Sequence, residues 1–375
     1  MISLPRMRIP RPLLPLALVL AALGAPAQSP PLRIGTWNLE FLGCRKDHPR
    51  TEADLQRIAD FVREMRVSVL ACQEVCGEAP LADLARRIGP SFRSVLGTTG
   101  DWNDGKTRQS IGFVWDDSEV ELLSCSEMLD LPREQSGLPV FHRVPVTACF
   151  RSRDGGVDFR AITVHFKAGQ KETDEKKREI EVSLLRDRIE ALLRDPAEDH
   201  DIVVLGDFNH SYDSAAAARF EQDDVVRYLH PSRLSPTIAH FDTPIDMIAV
   251  TREFDEAIEK TLRVRNERGL SDRDGWMRAF SDHFPVTVDV DRAKDRDPMA
   301  RFAQAPEAFR LPRAAGHAPA GSPIAIGDVV RLVTRQGDAF RGRLLAPLGG
   351  SFVHIESDGK AIAVPLDFVA YLVRE

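Results

Sequence analysis

The sequence is poor in aromatic residues and has no excess of positive charge. Aromatic side chains make up 7% of the 375 residues, only 3 of them are Tyr, and the formal net charge is −7. A protein that coats nucleic acid without sequence preference is usually basic and presents aromatic platforms. This composition excludes such a coat, so any polyanionic substrate has to be held by a local cluster of residues and by metal.

Long apolar stretches are also absent, except at the N-terminus. There, three arginines precede the apolar run Leu13–Leu23, and the small residues Ala25-Pro26-Ala27 follow it. This order is typical of a secretory signal peptide over residues 1–27 that is removed by cleavage. The alternative is a single membrane anchor, but the run has about half of the roughly 20 residues that a spanning helix needs. We therefore expect export to the periplasm or the extracellular space, with no transmembrane segment in the mature chain.

Cysteine is scarce, and the spacing of the five cysteines matches no zinc-binding pattern. Export makes disulfides possible. Cys44 and Cys76 each come just after a predicted strand that carries polar residues, so we predict a Cys44–Cys76 bridge. Cys72 lies inside an apolar run and is expected to pack as a small buried side chain.

Between residues 31 and 291, apolar runs of strand length alternate with helical patterns. Several strands follow one another with no helix between them, which favours mixed sheets over a purely parallel sheet. We predict one large domain over this range. Its predicted strands cover residues 32–39, 67–72, 111–115, 144–150, 159–166, 202–205, 245–250 and 286–290, and its main predicted helices follow a Thr51 cap and span 173–193.

The C-terminal part differs in composition from the large domain. Residues 292–322 are rich in charge, alanine and proline, which indicates a linker. Residues 323–375 hold five short strand patterns separated by glycine-containing turns. This pattern predicts a small five-stranded β-barrel, which loosely resembles Sm-like or SH3-like barrels and does not indicate its partner.

Polar residues stand at or close to the ends of the apolar runs in the large domain. In layered α/β folds, reactive groups gather at strand ends, where loops rest on a rigid base. One acid in such a place means little, but here there are five acids, two histidines and two asparagines. The residues are Asn38, Glu40, Glu74, His165, Asp207, Asn209, Asp246, Asp282 and His283. We predict that they converge in one site.

The residue types in this set suit the hydrolysis of phosphate esters. Glu40, Glu74 and Asp282 offer hard oxygen ligands, which fit Mg²⁺ or Mn²⁺, and also Ca²⁺, better than zinc. Such a metal offsets the negative charge that builds on phosphoryl oxygens. Asp207 and Asn209 can orient an attacking water, and a histidine beside a carboxylate can exchange a proton near neutral pH.

The order of these motifs resembles the endonuclease/exonuclease/phosphatase superfamily, which has the DNase I-like fold. The motifs, in chain order, are Trp37-Asn38-Leu39-Glu40, Gln73-Glu74, His165-Phe166-Lys167, Gly206-Asp207-Phe208-Asn209, Pro244-Ile245-Asp246 and Ser281-Asp282-His283. Any one of them is unspecific, whereas the ordered set is specific. The resemblance covers about residues 32–291 and implies an α/β fold: a four-layered sandwich of two packed mixed β-sheets with helices outside.

The resemblance also implies which residues bind metal and water. Asn38 and Glu74 would lie at the metal, with Glu40 next to it. Asp282 would be a second acidic ligand. Asp207 would position or activate the attacking water.

Other matching residues are implied to act on the phosphate group. Asn209 would hold a phosphate oxygen, and His283, paired with Asp246, would act at the phosphate. His165 matches the other catalytic histidine of DNase-like members. Arg143 resembles an arginine that contacts substrate phosphate in those members.

Two positions near His165 leave alternatives open. Lys167 is either a substrate-binding residue or a solvated lysine. In DNase-like members an acid orients the first histidine, whereas the matching place here holds Gln109. An amide can orient an imidazole but cannot stabilise its charged form as well as a carboxylate does.

Three classes of function are compatible with these residues. A secreted nuclease that cleaves DNA or RNA is favoured by the DNase-like motifs and by export, although the acidic charge counts against it. The second is a phosphatase or phosphodiesterase that acts on lipid head groups, inositol phosphates or nucleotides. The third is a non-catalytic binding scaffold, which would require missing core acids, and none of the main ones is missing.

Overall fold

The computed structural model describes the large domain and parts of the C-terminal region. The described residues are 30–46, 48–100, 108–296, 302–303, 311, 329–334, 339–345, 352–357, 360–365 and 369–374. The predicted signal peptide and most of the predicted linker lie outside them. Within the described residues, no helix has both the length and the apolar character needed to cross a bilayer.

The large domain alternates strands and helices, as the hydrophobic pattern predicts. Its strands are β1 (Leu32–Leu42), β2 (Val69–Val75), β3 (Phe92–Leu96), β4 (Ser110–Asp116), β5 (Val120–Glu127), β6 (Glu134–Gln135), β7 (Leu138–Pro139), β8 (Val146–Ser152), β9 (Asp158–His165), β10 (Ile202–Asp207), β11 (Val226–Tyr228), β12 (Asp246–Thr251), β13 (Ala257–Val264) and β14 (Val286–Val290). Its helices are α1 (Glu52–Met65), α2 (Glu78–Ile88), α3 (Glu172–Leu193), α4 (Ala215–Phe220), α5 (Glu267–Ser271) and α6 (Arg273–Ala279), with a 3-10 turn at Gln222–Asp224.

Twelve of these strands form two mixed sheets of six. The first sheet has the order β13-β14-β1-β2-β4-β3, and the second has the order β11-β12-β10-β9-β8-β5. The central pairs β1–β2 and β9–β10 are parallel, and their neighbours are antiparallel. The prediction of two mixed sheets is therefore confirmed.

Three cores separate four layers. Side chains such as Ile34 and Phe113 from the first sheet pack against Phe159 and Val203 from the second. The outer face of the first sheet packs on α1, α2 and α6, and the outer face of the second packs on α3 and α4. This is the four-layered α/β sandwich that the motifs imply.

Local sequence signals explain where the main helices begin. The Thr51 hydroxyl accepts a hydrogen bond from the backbone of Asp54, whose carboxylate accepts one from the backbone of Thr51, so the two form a capping box. In α3, Ile189 and Leu192 of the predicted apolar face are buried, and Ile180 and Leu184 pack at the edge of the same core. The helix begins one residue before its predicted start.

Strand alternation places the polar strand-end residues between the two sheets. On β1, Ile34 faces the second sheet, and Asn38 follows on the same side because side chains alternate along a strand. On β10, Val203 and Leu205 face the first sheet, and Asp207 follows them. The site residues therefore extend the rows of side chains that fill the central core.

The C-terminal strands form one antiparallel sheet. They are β15 (Val329–Thr334), β16 (Ala339–Leu344), β17 (Phe352–Ser357), β18 (Lys360–Pro365) and β19 (Val369–Arg374), in the order β18-β17-β16-β15-β19. The five predicted strands are confirmed within one residue at each end. Their turns lie outside the described residues, and closure into a barrel stays a prediction.

Candidate active site

The ends of β1 and β10 meet at a single hydrogen bond between the two sheets. The Asn38 amide donates to Asp207 Oδ2 at 3.0 Å, and both side chains are buried. A Cβ at Gly206 would lie 2.1 Å from the carbonyl oxygen of Val164, so only glycine fits next to Asp207. The backbone N–H of Asn209 donates to Asp207 Oδ1 at 3.0 Å. Both oxygens of the Asp207 carboxylate are thus held in place.

Two acids reach the Asn38–Asp207 hydrogen bond because the backbone of β1 and β2 is irregular at their positions. Glu40 and Glu74 have φ values of 43° and 57°, in the left-handed region that is uncommon for residues other than glycine. The β1–β2 register shifts between Asn38 and Leu42, and the β2–β4 register shifts after Cys72. Strict alternation would turn Glu74 away from the central core, so the irregular backbone is what directs it to the site.

His283 is held from three sides beside Asp207. Its Nδ1 lies 2.8 Å from Asp246 Oδ2, and its Nε2 lies 3.9 Å from Asp207 Oδ2. The indole N–H groups of Trp37 and Trp276 both donate to its carbonyl oxygen at 3.1 Å. The predicted pairing of His283 with Asp246 is therefore present in the structure.

His165 lies on the other side of Asp207. Its Nε2 is 3.5 Å from Asp207 Oδ2 and 3.9 Å from Glu74 Oε1. Its Nδ1 is buried and has no hydrogen-bond partner among the described residues. The side-chain oxygen of Gln109 accepts a hydrogen bond from Arg143 Nη1 at 3.1 Å.

The local charges set opposite protonation states for the two histidines. Burial opposes a charge on His283, but the carboxylates of Asp246, Asp207 and Asp282 outweigh it and raise its pKa well above the ordinary value. Burial, and then the charge of Arg143, lower the pKa of His165 well below the ordinary value. The local charges therefore favour the imidazolium form of His283 and the neutral form of His165.

Comparison with known proteins agrees with this fold and with the order of the motifs. Residues 35–283 match the Endonuclease/Exonuclease/phosphatase family. The chain belongs to this family. It is therefore a hydrolase that acts on phosphate esters, as the motifs predict.

Solved structures with the same fold support the assignment of architecture. An endonuclease/exonuclease/phosphatase from Bacteroides vulgatus is 17% identical, with a TM-score of 0.53, and the match covers 69% of this chain and 98% of that one. The human Nocturnin catalytic domain with bound sulfate anion is 16% identical, with a TM-score of 0.52, and the match covers 69% and 94%. Among curated proteins, none matches this chain.

The acidic side of the site fits a divalent metal. Burial and the Asp282 carboxylate raise the pKa of Glu40 to about 7, and the same two causes raise the pKa of Glu74. The backbone N–H of Asp282 donates to Glu40 Oε2 at 2.9 Å, which keeps these acids together. Crowded carboxylates whose pKa values rise are the environment that a hard cation relieves. Glu40, Glu74 and Asp282, with the Asn38 amide oxygen, stay the predicted oxygen ligands of such a metal.

A second group of potential ligands overlaps with the proton-transfer residues. Ligand atoms of Asp207, Asp246 and His283 lie within 4.8 Å of one another. Because His283 Nδ1 is already bonded to Asp246, we assign this group to proton chemistry rather than to the metal.

The predicted substrate-binding residues divide into two sets. Asn209 donates through its side-chain amide to the carbonyl of Phe166 at 3.1 Å, and Arg143 Nε donates to the carbonyl of His165 at 3.5 Å, so both border the site. Lys167 instead pairs with Asp174 at 3.1 Å, at the start of α3. No other predicted site residue contacts the Lys167 ammonium group among the described interactions.

Sequence reasoning missed several residues that build the site. Arg45 pairs with Glu40 at 3.0 Å, and Arg50 donates to the carbonyl oxygen of Glu40 at 2.9 Å. The Ser281 hydroxyl donates to the carbonyl of Asn38 at 2.7 Å, which joins β1 to the Ser281-Asp282-His283 motif. The exposed His240 places Nε2 3.6 Å from Asp282 Oδ2. Only Ser281 had a sequence signal, because it belongs to that motif.

Proposed function

We propose that this protein is an exported, divalent-metal-dependent phosphodiesterase whose favoured substrate is nucleic acid. One observation carries the proposal: Asp207 is buried between Asn38, His165 and His283, beside the Glu74 carboxylate. This arrangement combines a base, two imidazoles of different charge and an acidic metal site.

Asp207 takes the proton of the attacking water. Burial raises the pKa of Asp207 to about 7, although the charge of His283 opposes the shift. A base whose pKa lies near the working pH is well matched to proton uptake. The hydrogen bonds from Asn38 and Asn209 fix the direction of its lone pairs.

The two histidines act on the phosphate with different charges. His283 Nε2 lies 3.9 Å from both Asp207 and Asp282, so its proton is directed into the site and can be donated to a phosphoryl or leaving oxygen. His165 is neutral and can donate a hydrogen bond without adding charge. Arg143, which is half-buried next to His165, supplies a fixed positive charge on the same side of the site.

A divalent metal bound by Asn38, Glu74 and Asp282, with Glu40 beside them, would offset the charge that builds on the phosphoryl oxygens. Removing the metal should then abolish turnover. The oxygen-only ligand set supports Mg²⁺ or Mn²⁺ as that metal, with Ca²⁺ as a third candidate.

The rim of the site supports nucleic acid as the substrate. Phe241 is 41% exposed and follows His240, whose ring lies beside Asp282. An exposed aromatic ring can stack on a base, which makes Phe241 a candidate contact for nucleic acid. The N-terminal pattern of residues 1–27 supports export, and a mature protein that starts near residue 28 would agree with it.

A substrate panel tests the proposal. Plasmid DNA, RNA, bis-p-nitrophenyl phosphate, sphingomyelin and inositol phosphates would each be assayed with Mg²⁺, Mn²⁺ or Ca²⁺, and again with a chelator. We expect metal-dependent cleavage of DNA or RNA, weakened by Phe241→Ala but not by Leu270→Ala, which removes another exposed apolar side chain. Activity that survives the chelator would refute the metal mechanism, and turnover of only lipid or inositol substrates would refute the nuclease.

A further inference from the structure

Three carboxyl groups cluster at the end of the two sheets that lies opposite the active site. Asp201 comes directly before β10, Glu256 directly before β13, and Asp295 follows β14. One ligand oxygen from each lies within 4.8 Å of the other two. Since Asp207 ends the strand that Asp201 begins, the cluster and the active site are about 20 Å apart.

Within the described part of the chain, Glu256 is the member of the cluster with a buried oxygen that lacks a hydrogen-bond partner. Its side chain is buried, with 2% of the residue exposed, and Oε2 has no hydrogen-bond partner among the described residues. A buried carboxylate oxygen without a hydrogen-bond partner is costly, because it loses its hydration and gains nothing in return. Burial, with the nearby carboxylates of Asp255 and Asp295, raises its pKa to about 7.

Two arginines near the cluster are engaged with other carboxylates. Arg296 pairs with Asp255 at 3.0 Å, and Arg252 pairs with Asp224 at 3.4 Å. Both lie with Asp201 and Glu256 at a cavity of about 360 Å³, which has room for several water molecules. The cavity therefore offers oxygen ligands and water to a cation.

We propose that Asp201, Glu256 and Asp295 form a Ca²⁺ site that is separate from the catalytic centre. Ca²⁺ takes six to eight oxygen ligands at about 2.3–2.6 Å, so opposite ligands stand about 4.6–5.2 Å apart. Mg²⁺ binds at about 2.0–2.1 Å and demands near-ideal octahedral geometry, whereas Ca²⁺ accepts irregular sets of oxygen ligands.

A bound Ca²⁺ would connect three distant parts of the chain. Asp295 Oδ2 accepts a hydrogen bond from the backbone of Asp158 at 3.0 Å, and the backbone of Asp291 donates to the carbonyl of Glu256 at 2.9 Å. The cation would fasten the chain leaving β14 to the start of β10 and to the loop before β13. Its role would be structural, so it should stabilise the fold without entering the reaction.

Thermal unfolding of the chelator-treated full chain, with and without Ca²⁺, tests the site. Glu256→Gln keeps the side-chain size and removes the charge. Glu253→Gln is its matched control, because Glu253 lines the same cavity outside the cluster. Glu74→Gln disables the catalytic metal site and isolates the second one.

We expect Ca²⁺ to raise Tm in the wild type, in Glu253→Gln and in Glu74→Gln, but not in Glu256→Gln. Ca²⁺ titration calorimetry on the Glu74→Gln background should show binding weakened by about 10-fold or more when Glu256→Gln is added. If Glu256→Gln does not fold, Asp295→Asn takes its place. The proposal is overturned if no variant responds to Ca²⁺, if Glu256→Gln keeps the full shift, or if Glu74→Gln abolishes it.

Discussion

Asp207 is the side chain on which the other groups of the site converge. It accepts hydrogen bonds from Asn38 and Asn209, and His165 and His283 both approach its Oδ2. A carboxylate in this position can both receive a proton and stabilise a positive charge on a neighbouring histidine. Its removal should therefore affect chemistry more than folding.

We predict that Asp207→Asn lowers kcat by about 10²–10⁴-fold, because the amide keeps the shape but cannot take a proton. The measurement is metal-dependent hydrolysis of bis-p-nitrophenyl phosphate, with circular dichroism to confirm the fold. Asp213→Asn, an exposed position on the same loop, serves as the control. A kcat near that of the wild type would show that Asp207 is not the base.

His210 makes stability depend on pH. It is 5% exposed, its Nε2 lies 3.2 Å from the Tyr228 hydroxyl, and burial lowers its pKa to about 4. Between pH 6.5 and 4 the unfolded chain binds a proton that the folded chain excludes, so stability is lost as pH falls through this window. A pKa lowered from 6.5 to about 4 corresponds to at most roughly 3.4 kcal/mol.

We predict that His210→Gln flattens this part of the pH profile of the unfolding free energy. Urea titrations between pH 4 and 7.5 on both proteins would measure it. The exposed His230→Gln, which removes another histidine from the same region, should leave the slope unchanged. Equal slopes for the wild type and His210→Gln would contradict the assignment.

The sequence predicts individual site residues when the role needs a fixed residue type at a strand end. Asp207, Asp246 and His283 are of this kind. It does not predict the partners of His165, because the approach of Arg143 to Gln109 depends on how separate segments pack. Side chains such as Arg50, which reach the site from loops, also carry no sequence signal of their own.

At the scale of strands and helices, alternation accounts for most of the site. Apolar residues at every second position predict which face of β1, β9, β10 and β12 is central, and therefore where Asn38, His165, Asp207 and Asp246 lie. Glu74 breaks the rule through its left-handed backbone. That departure depends on the shifted register with β1 and β4, which no local pattern encodes.

The Cys44–Cys76 disulfide, predicted from the sequence, joins the chain just beyond β1 to the chain just beyond β2. It closes a loop across a sequence separation of 32. In the chain-entropy description, a loop of this length stabilises the fold by about 3–4 kcal/mol.

We predict that dithiothreitol lowers Tm of the wild type. The double variant Cys44→Ser/Cys76→Ser should start at this lower Tm and not respond to the reductant. Differential scanning calorimetry measures both. A double variant as stable as the oxidised wild type would mean that the bond adds nothing to stability.

At the scale of the whole molecule, the large domain is the part that the sequence predicts best. The expected range of residues 31–291 needs one extension, because parts of the predicted linker pack on the domain. Phe302 and Leu311 are buried, and the backbone of Ala303 donates to Glu198 at 2.9 Å. Charge, alanine and proline predict a linker, but they do not reveal isolated anchoring side chains.

Phe302 should measure the strength of this anchoring. Its ring lies 5.7 Å from the guanidinium carbon of Arg160, which is itself paired with Glu198 at 2.6 Å. We predict that Phe302→Ala destabilises the protein by about 2–4 kcal/mol and that Phe302→Leu costs less, since it keeps part of the apolar volume. Guanidinium titrations would compare them, and an unfolding free energy unchanged in Phe302→Ala would rule out the anchor.

The hydrogen bond between Asn38 and Asp207 joins two sets of site residues, one from each sheet. Asn38, Glu74 and His283 come from the first sheet and the segment leading into it, whereas His165, Asp207 and Asp246 come from the second. Neither half holds a complete set of reacting groups. The active site therefore lies at the interface between the two sheets, as it lies between subunits in enzymes whose subunits share an active site. Any change that shifts one sheet relative to the other should abolish turnover before it unfolds the chain.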